Sequence, residues 1–354
     1  MLGASFLGLF FLGGLGVEVS LIRYLGFLIG FLALAFSNIL KRKLEFPPGS
    51  KLYFLFLALF LLSFLWSQDA KNSSDFFTLF LSGGFFWVFS YNLRENLREY
   101  FGKLVLVLGL IFGGLFLFFQ ISGEVPIRSG SLYLLSTPTH NHLGDLWSIV
   151  LVFVIFSLLK TKNPLYLVVF ILGIYFLLVS LSRSAYVALA GGVFYLFYKK
   201  GWLGQKKDHF WIFISLAAIL FIFAGFLKPT IYSRAYFLQA ISGFWHNFWG
   251  IGVGNFGEIS ADPENHLFGL GSYSSLTHNI FFEFLVGMGV LGFSFVWWFL
   301  KAVKGFLKTK TEKAIPYQAS FIALALNFFF DTTYVIPTML WLWFITLGLG
   351  QEKS

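Results

Sequence analysis

Residues 231–282 read IYSRAYFLQA ISGFWHNFWG IGVGNFGEIS ADPENHLFGL GSYSSLTHNI FF. This is the one long segment too polar and too rich in glycine to sit in lipid. Arg234 stands near its start, just after one apolar run, and His278 stands at the mouth of the next. Apolar runs recur on both sides of it, from one end of the chain to the other. The segment therefore reads as a large loop between membrane-spanning helices.

The totals agree. The 354 residues are 58% hydrophobic and only 12% charged, where a soluble domain carries about 25% charged residues. Mean hydropathy is +0.79. No soluble fold hides that much apolar surface. The absence of cysteine excludes disulfides, cysteine-ligated zinc and thiol chemistry. No small-residue cleavage site follows the first apolar run, which reads as a retained helix rather than a signal peptide.

A spanning helix needs about 20 apolar residues. Candidates lie near 2–17, 21–40, 51–67, 75–92, 101–120, 146–160, 164–182, 184–199, 210–226, 278–300, 315–331 and 334–350. The expectation is an all-α membrane protein of about 12 transmembrane helices, with the first short and glycine-rich enough to be re-entrant. It forms one polytopic domain over 1–354, with a large loop at 227–277 between the ninth and tenth helices.

Basic residues set the orientation. With both termini cytoplasmic, 19 of the 25 Lys and Arg residues fall on the inner side, as cytoplasmic loops require. The outer six are Arg23, Lys71, Arg128, Arg183, Lys228 and Arg234. The net charge of +9 is thus an orientation signal and not a nucleic-acid patch. Inside, 16 of 19 basic residues are lysine, whereas outside four of six are arginine. Arginine's planar fork grips phosphate through paired hydrogen bonds, which points to specific anion binding on the outer side.

Several constellations bear on chemistry. Arg183 lies between Ser182 and Ser184 in a hairpin with almost no slack. A boundary arginine commonly snorkels to headgroups, but the small residues that follow it favour close helix approach and an inward-pointing side chain. Arg234 reads either as a phosphate grip or as a loop arginine paired with a nearby carboxylate. His278 reads either as a proton acceptor or as a helix-end histidine, with Asn279 placed to orient the ring.

Other motifs point elsewhere. GIGVGNFG at 250–257 resembles a phosphate loop, but it lacks the strand and helix of a βαβ unit. Its glycines read as tight-turn positions. Asp262 and Glu264 form a D-x-E pair that either holds a divalent metal or turns around Pro263, the turn being favoured. His140, His142 and Asp145 form a second candidate metal cluster, with substrate contact or helix capping preferred.

In order along the chain, the pattern resembles the O-antigen ligase and O-antigen polymerase superfamily. It starts with THNHLG at 139–144, including Asn141 and His142. An S-x-S-R hairpin follows at Ser180, Ser182 and Arg183. Next comes a glycine-rich stretch with Gly250, Gly252, Gly254, Asn255 and Phe256. The last segment is H-N-x-x-F-E at His278, Asn279 and Glu283, with Gly287, Gly289 and Gly292 beyond. The resemblance spans about 139–295.

It implies an enzyme of the bacterial inner membrane with its active site on the periplasmic face. Such an enzyme moves a glycan from undecaprenyl pyrophosphate to an acceptor hydroxyl, with inversion and without a metal or other cofactor. By position, Arg183 and Arg234 would hold the donor pyrophosphate and His278 would contact or deprotonate the acceptor. Asn141, His142, Ser182, Gly252, Asn255, Asn279 and Glu283 would support them. The expected partners are the lipid-linked glycan, a lipid A–core or glycan acceptor, and the bilayer. A polymerase of O-antigen or exopolysaccharide differs only in acceptor, as does a ligase that modifies protein. A peptidoglycan polymerase would lean on Asp262. A transporter or flippase would show duplicated halves or broken helices with polar residues at mid-membrane, whereas here the halves differ and the polar residues collect at one face.

Overall fold

Ten of the twelve apolar runs fall within the residues that the computed structural model describes, and every one of the ten is helical. Those residues are 19–41, 44–122, 133–134, 137–138, 140–161, 163–201, 236–266, 273–308 and 311–352. The runs at 2–17 and 210–226 lie outside them, as do Arg234 and the side chain of Asn141.

Seven helices precede the large loop: α1 (Val19–Lys41), α2 (Ser50–Leu62), α3 (Ala70–Asn92), α4 (Arg94–Ser122), α5 (His140–Thr161), α6 (Pro164–Ser180) and α7 (Arg183–Lys199). Within the loop lie α8 (Tyr236–His246) and α9 (Phe256–Ala261). After it come α10 (Ile280–Met288), α11 (Phe293–Lys308), α12 (Ile315–Phe330) and α13 (Pro337–Gly350). A two-residue antiparallel pair, β1 (Tyr133–Leu134) with β2 (Thr137–Pro138), is the strand content among the described residues.

Local chemistry sets several helix starts. Asp69 caps α3 by accepting from the Lys71 and Asn72 amides at 2.8 and 3.3 Å. Asn163 caps α6 at Leu165 N, with Pro164 in the first turn. Ser182 caps α7 at Ala185 N, and Asn279 caps α10. Each side-chain oxygen satisfies an amide that has no partner inside its own helix.

Helix α13 is the centre: all of its residues are buried, as expected of a helix apolar on every side. It packs between α3 and α12, with α1 outside α3, while α5 joins α6 and α7 to α12. Between α2, α10, α11, α12 and α13 many of the contacts are aromatic. Phe284 and Phe295 have ring centroids 4.4 Å apart, and Phe321 stacks on Trp343 at 4.9 Å. Lipid gives helices no hydrophobic reason to associate, so close packing of this kind carries the assembly. Each such pair contributes about 0.5–1.5 kcal/mol beyond its buried area.

Among the described residues, three helices are long and apolar enough to cross a membrane: Arg94–Phe118, His142–Thr161, and Ile280–Phe306 taken through its break. Four shorter apolar helices accompany them: Arg23–Ile39, Ser50–Trp66, Pro164–Ser180 and Pro337–Gly350. Together they suggest a membrane protein.

The helix ends sort into two groups. At the lysine-rich end, Trp87 Nε1 donates to Gln351 Oε1 at 2.9 Å, Arg98 Nε to the Leu349 carbonyl at 2.8 Å, and Lys199 Nζ to the Phe306 carbonyl at 2.8 Å. At the opposite end, hydroxyls, amides and carboxylates join the turns near 67, 145, 182, 255, 278 and 331. Arg23 belongs to that second end. It is paired with Asp75 at 2.9 Å, which accounts for its charge.

The run read as one helix over 278–300 is interrupted. Its α-helix stops at Met288, a 3-10 turn spans Gly289–Gly292, and α11 resumes at Phe293. Gly289 has φ +59, a conformation that costs other residues strain. The loop fills the gap. The amides of Ile251 and Gly252 donate to the Val286 and Gly287 carbonyls at 3.2 and 2.8 Å, and the Val290 amide donates to the Phe248 carbonyl at 2.9 Å. The described part of the 227–277 segment is therefore not a free polar loop. It supplies the hydrogen bonds that the helix gives up, so the interrupted backbone stays paired.

Candidate functional site

The opposite end holds the candidate site, and its floor is Asp145. This residue sits in the second turn of α5 and has no solvent exposure. Its carboxylate accepts from Asn327 Nδ2 at 2.6 Å, Thr333 Oγ1 at 2.7 Å, Ser182 Oγ at 3.1 Å and Ser184 Oγ at 3.3 Å. Four elements thus meet on one side chain. Gly144 allows the approach, since a Cβ there would come within 2.2 Å of Ser180 Oγ. The donors around Asp145 are hydroxyls and an amide. His142 is buried one turn earlier on the same helix.

Ser184 links Asp145 to a second carboxylate. Its Oγ lies 3.2 Å from Asp331 Oδ2 as well as 3.3 Å from Asp145 Oδ1. One hydroxyl proton serves one acceptor at a time, so the two acids share a single donor there. Arg183 occupies the first position of α7 between the two serines, with its side chain half-buried. The hairpin that carries it turns through Leu181 in the left-handed region, φ +51.

The other face of Asp331 meets His278. The imidazole Nδ1 is 4.0 Å from Asp331 Oδ1, and the ring stacks on Tyr236 with centroids 4.8 Å apart and planes 11° off parallel. His278 has φ +55, a conformation that costs a non-glycine residue about 1–3 kcal/mol and persists only where the surroundings impose it. Leu181 and His278 are the two non-glycine residues with positive φ among the described residues. One lies two positions before Arg183, and the other is the candidate base.

Asn279 does not orient the ring. Its Oδ1 accepts from the Phe281 and Phe282 amides at 2.9 and 3.2 Å, and its Nδ2 donates to the Phe329 carbonyl at 3.1 Å. It caps α10 and ties that helix to the end of α12. Tyr236 and Asp331 flank the imidazole instead.

Glu283, one turn into α10, is a clamp. Its carboxylate accepts from Thr277 N at 2.9 Å, Thr277 Oγ1 at 3.0 Å, Tyr334 Oη at 3.1 Å and Gly254 N at 3.1 Å. It fixes the residue before His278 and holds the glycine-rich turn against the turn after Asp331.

Asn255 and Gly252 complete the seat. Asn255 Nδ2 donates to Ser67 Oγ at 3.2 Å, to the Asp69 carbonyl at 3.3 Å and to the Ile251 carbonyl at 3.0 Å. Gly252 has φ +92, and a Cβ on it would lie 2.1 Å from Ser67 Oγ. These two residues hold the loop on the turn between α2 and α3, away from the imidazole.

Of the residues singled out from the sequence, His278 faces Asp331, and Ser182 binds Asp145 at the start of α7, where Arg183 follows it and Ser184 reaches Asp331. Asn279, Glu283, Asn255 and Gly252 frame them. The remaining D-x-E pair is a turn: Asp262 accepts from the Glu264 amide at 3.0 Å and from Asn265 Nδ2 at 3.3 Å. Sequence reading passed over Asp331, Asn327 and Tyr236. Asn327 and Asp331 stand one helical turn apart at the end of an apolar run, and that spacing was the available signal.

Compared with known proteins, the sequence matches no protein-family model and no curated protein.

Proposed function

We propose that the chain is a membrane glycosyltransferase of the O-antigen ligase type. In this reading it crosses the bacterial inner membrane about twelve times, with both termini and the lysine-rich end in the cytoplasm and the Asp331 end in the periplasm. It moves a glycan from undecaprenyl pyrophosphate to a hydroxyl of lipid A–core. The observation that carries the reading is the meeting of the α7 start, bearing Arg183, with His278 across Asp331.

The chemistry follows from those groups. As the bond from the anomeric carbon to the pyrophosphate breaks, negative charge grows on the departing phosphate oxygen. A fixed guanidinium aimed at it stabilises the transition state more than the ground state. Arg183 takes that role, with Arg234 as its expected partner. The acceptor hydroxyl attacks the opposite face of the sugar, which inverts the anomeric centre, and its proton passes to His278. A base positioned in this way contributes about 10²–10⁴-fold. The polyprenyl tail stays in the bilayer, so the reacting bond has to sit at a helix end, which is the depth of this cluster.

The broken α10–α11 segment is a feature also expected of transporters. Here its gap is closed by the loop's own backbone, which favours a fixed scaffold over a moving gate. The deciding experiment incubates purified protein with a defined undecaprenyl pyrophosphate glycan and either lipid A–core or further donor. One mobility shift of the lipid acceptor supports ligation, a growing ladder indicates polymerisation, and no transfer in either mixture overturns the enzyme reading.

A further inference from the structure

A second site lies at the far end of the bundle, where α4, the last turns of α5, the start of α6 and the start of α12 enclose a cavity of about 350 Å³. Its floor is apolar and aromatic: Leu106, Phe153, Phe156 and Tyr166 line it, with Tyr317 behind. Three lysines from three different elements reach it: Lys103 of α4, Lys160 of α5 and Lys313 of the 3-10 turn before α12. None of the three is in an ion pair among the described residues.

The other charges at this cavity are accounted for. Arg98 is buried and already partnered, donating to the Leu349 and Gln351 carbonyls and pairing with Glu352 at 2.8 Å. Glu95 lies 3.7 Å from Arg94 and 3.9 Å from Arg98. Glu99 also lines the cavity beside the three lysines. Nearby, the exposed carboxyl of Glu312 is held below the usual carboxylate range by its hydrogen bond to Lys200 and by that residue's charge, with Lys160 adding to the effect.

We propose that this cavity binds the phosphate headgroup of an anionic phospholipid of the inner leaflet, with its acyl chains running along α4. The lysines supply the charge that such headgroups seek between helices on a cytoplasmic face. The chain path is on the same helix. One to two turns beyond Lys103 and Leu106, Val107, Leu110 and Ile111 are exposed, on one of the three helices long and apolar enough to span a membrane. A soluble phosphate has no use for an aromatic floor that continues into a lipid-facing stripe, and this decides for a lipid.

The test uses the full chain in a neutral detergent and needs no catalytic readout, so it is independent of the transferase reading. Phosphatidylglycerol, phosphatidylcholine and inorganic phosphate are titrated separately, with binding followed by native mass spectrometry and thermal stability. The variants are Lys103→Gln/Lys160→Gln/Lys313→Gln and an equal-charge control, Lys51→Gln/Lys301→Gln/Lys304→Gln, remote from the cavity. Phosphatidylglycerol should bind and raise the melting temperature of the unaltered chain and the control. It should lose about fivefold in affinity per cavity lysine removed. Both variants should melt like the parent without lipid, because the replaced lysines are exposed. Equal binding by the cavity variant, equal loss in the control, or displacement of lipid by inorganic phosphate would each overturn the proposal.

Discussion

His278 Nδ1 lies 4.0 Å from Asp331 Oδ1, while Asp331 Oδ2 takes the Ser184 hydroxyl at 3.2 Å. One carboxylate thus stands between the candidate base and the element that carries Arg183. In the proposed reaction it links the base to the donor-binding element, and substitutions around it separate their roles.

Asp331→Asn should insert normally and lose about 10–100-fold in transfer, the range expected when the orienting partner of a general base is altered. Steady-state kinetics on a defined donor check this. A kcat equal to the parent's would remove Asp331 from the site.

Arg183→Lys should insert and fold, yet show no measurable transfer, because a point charge does not reproduce the guanidinium fork. If Arg183 merely balances the Asp145 and Asp331 pair, Lys at 183 will retain turnover. Donor binding and transfer measured on the same preparation separate the two outcomes.

His278→Asn is the informative change at the base, since asparagine tolerates the left-handed backbone better than alanine does. It should bind the lipid-linked donor like the parent and fail to transfer it. Normal transfer would mean that the proton goes elsewhere.

Gly252→Ala should destabilise the loop seat, because the new Cβ meets Ser67 Oγ at 2.1 Å and the residue has φ +92. Ser67→Gly in the same chain removes the contact with Ser67 but leaves Asn255 Nδ2 at 2.7 Å and the backbone strain, so it should recover part of the lost melting temperature and part of the activity. No recovery would mean that the strain and the Asn255 contact, not Ser67, are responsible.

Transfer should survive EDTA. Asp145 is filled by hydroxyl and amide donors, and Asp262 caps a turn. Activity lost to the chelator and restored by Mg²⁺ or Mn²⁺ would reverse both assignments.

The helices were legible because apolar runs of spanning length have few alternatives. Their starts are set by caps at Asp69, Asn163, Ser182 and Asn279, and the Asp69 cap begins α3 at Ala70, ahead of the apolar run that starts near 75. The break at Gly289 was not legible. Gly287, Gly289 and Gly292 read equally well as small residues for helix packing, and only the partner segment from Phe248 to Gly252 distinguishes a packed helix from a broken one. The site was half legible. Arg183 and His278 stand out by residue type against apolar surroundings. Beyond its spacing from Asn327, nothing in the sequence marks Asp331, because its role depends on Ser184 and His278, which lie far from it along the chain. Asn279 was misjudged for a related reason: adjacency in the chain suggested contact with the ring, whereas the needs of the α10 amides turned its side chain the other way.

The interrupted helix has a practical corollary for engineering. Because the backbone from Phe248 to Gly252 completes the hydrogen bonding of residues 286–290, that stretch and its host helix must mature together. A chimera that imports a foreign loop would have to bring its matching helix joint with it, or leave the Val286 and Gly287 carbonyls buried and unpaired.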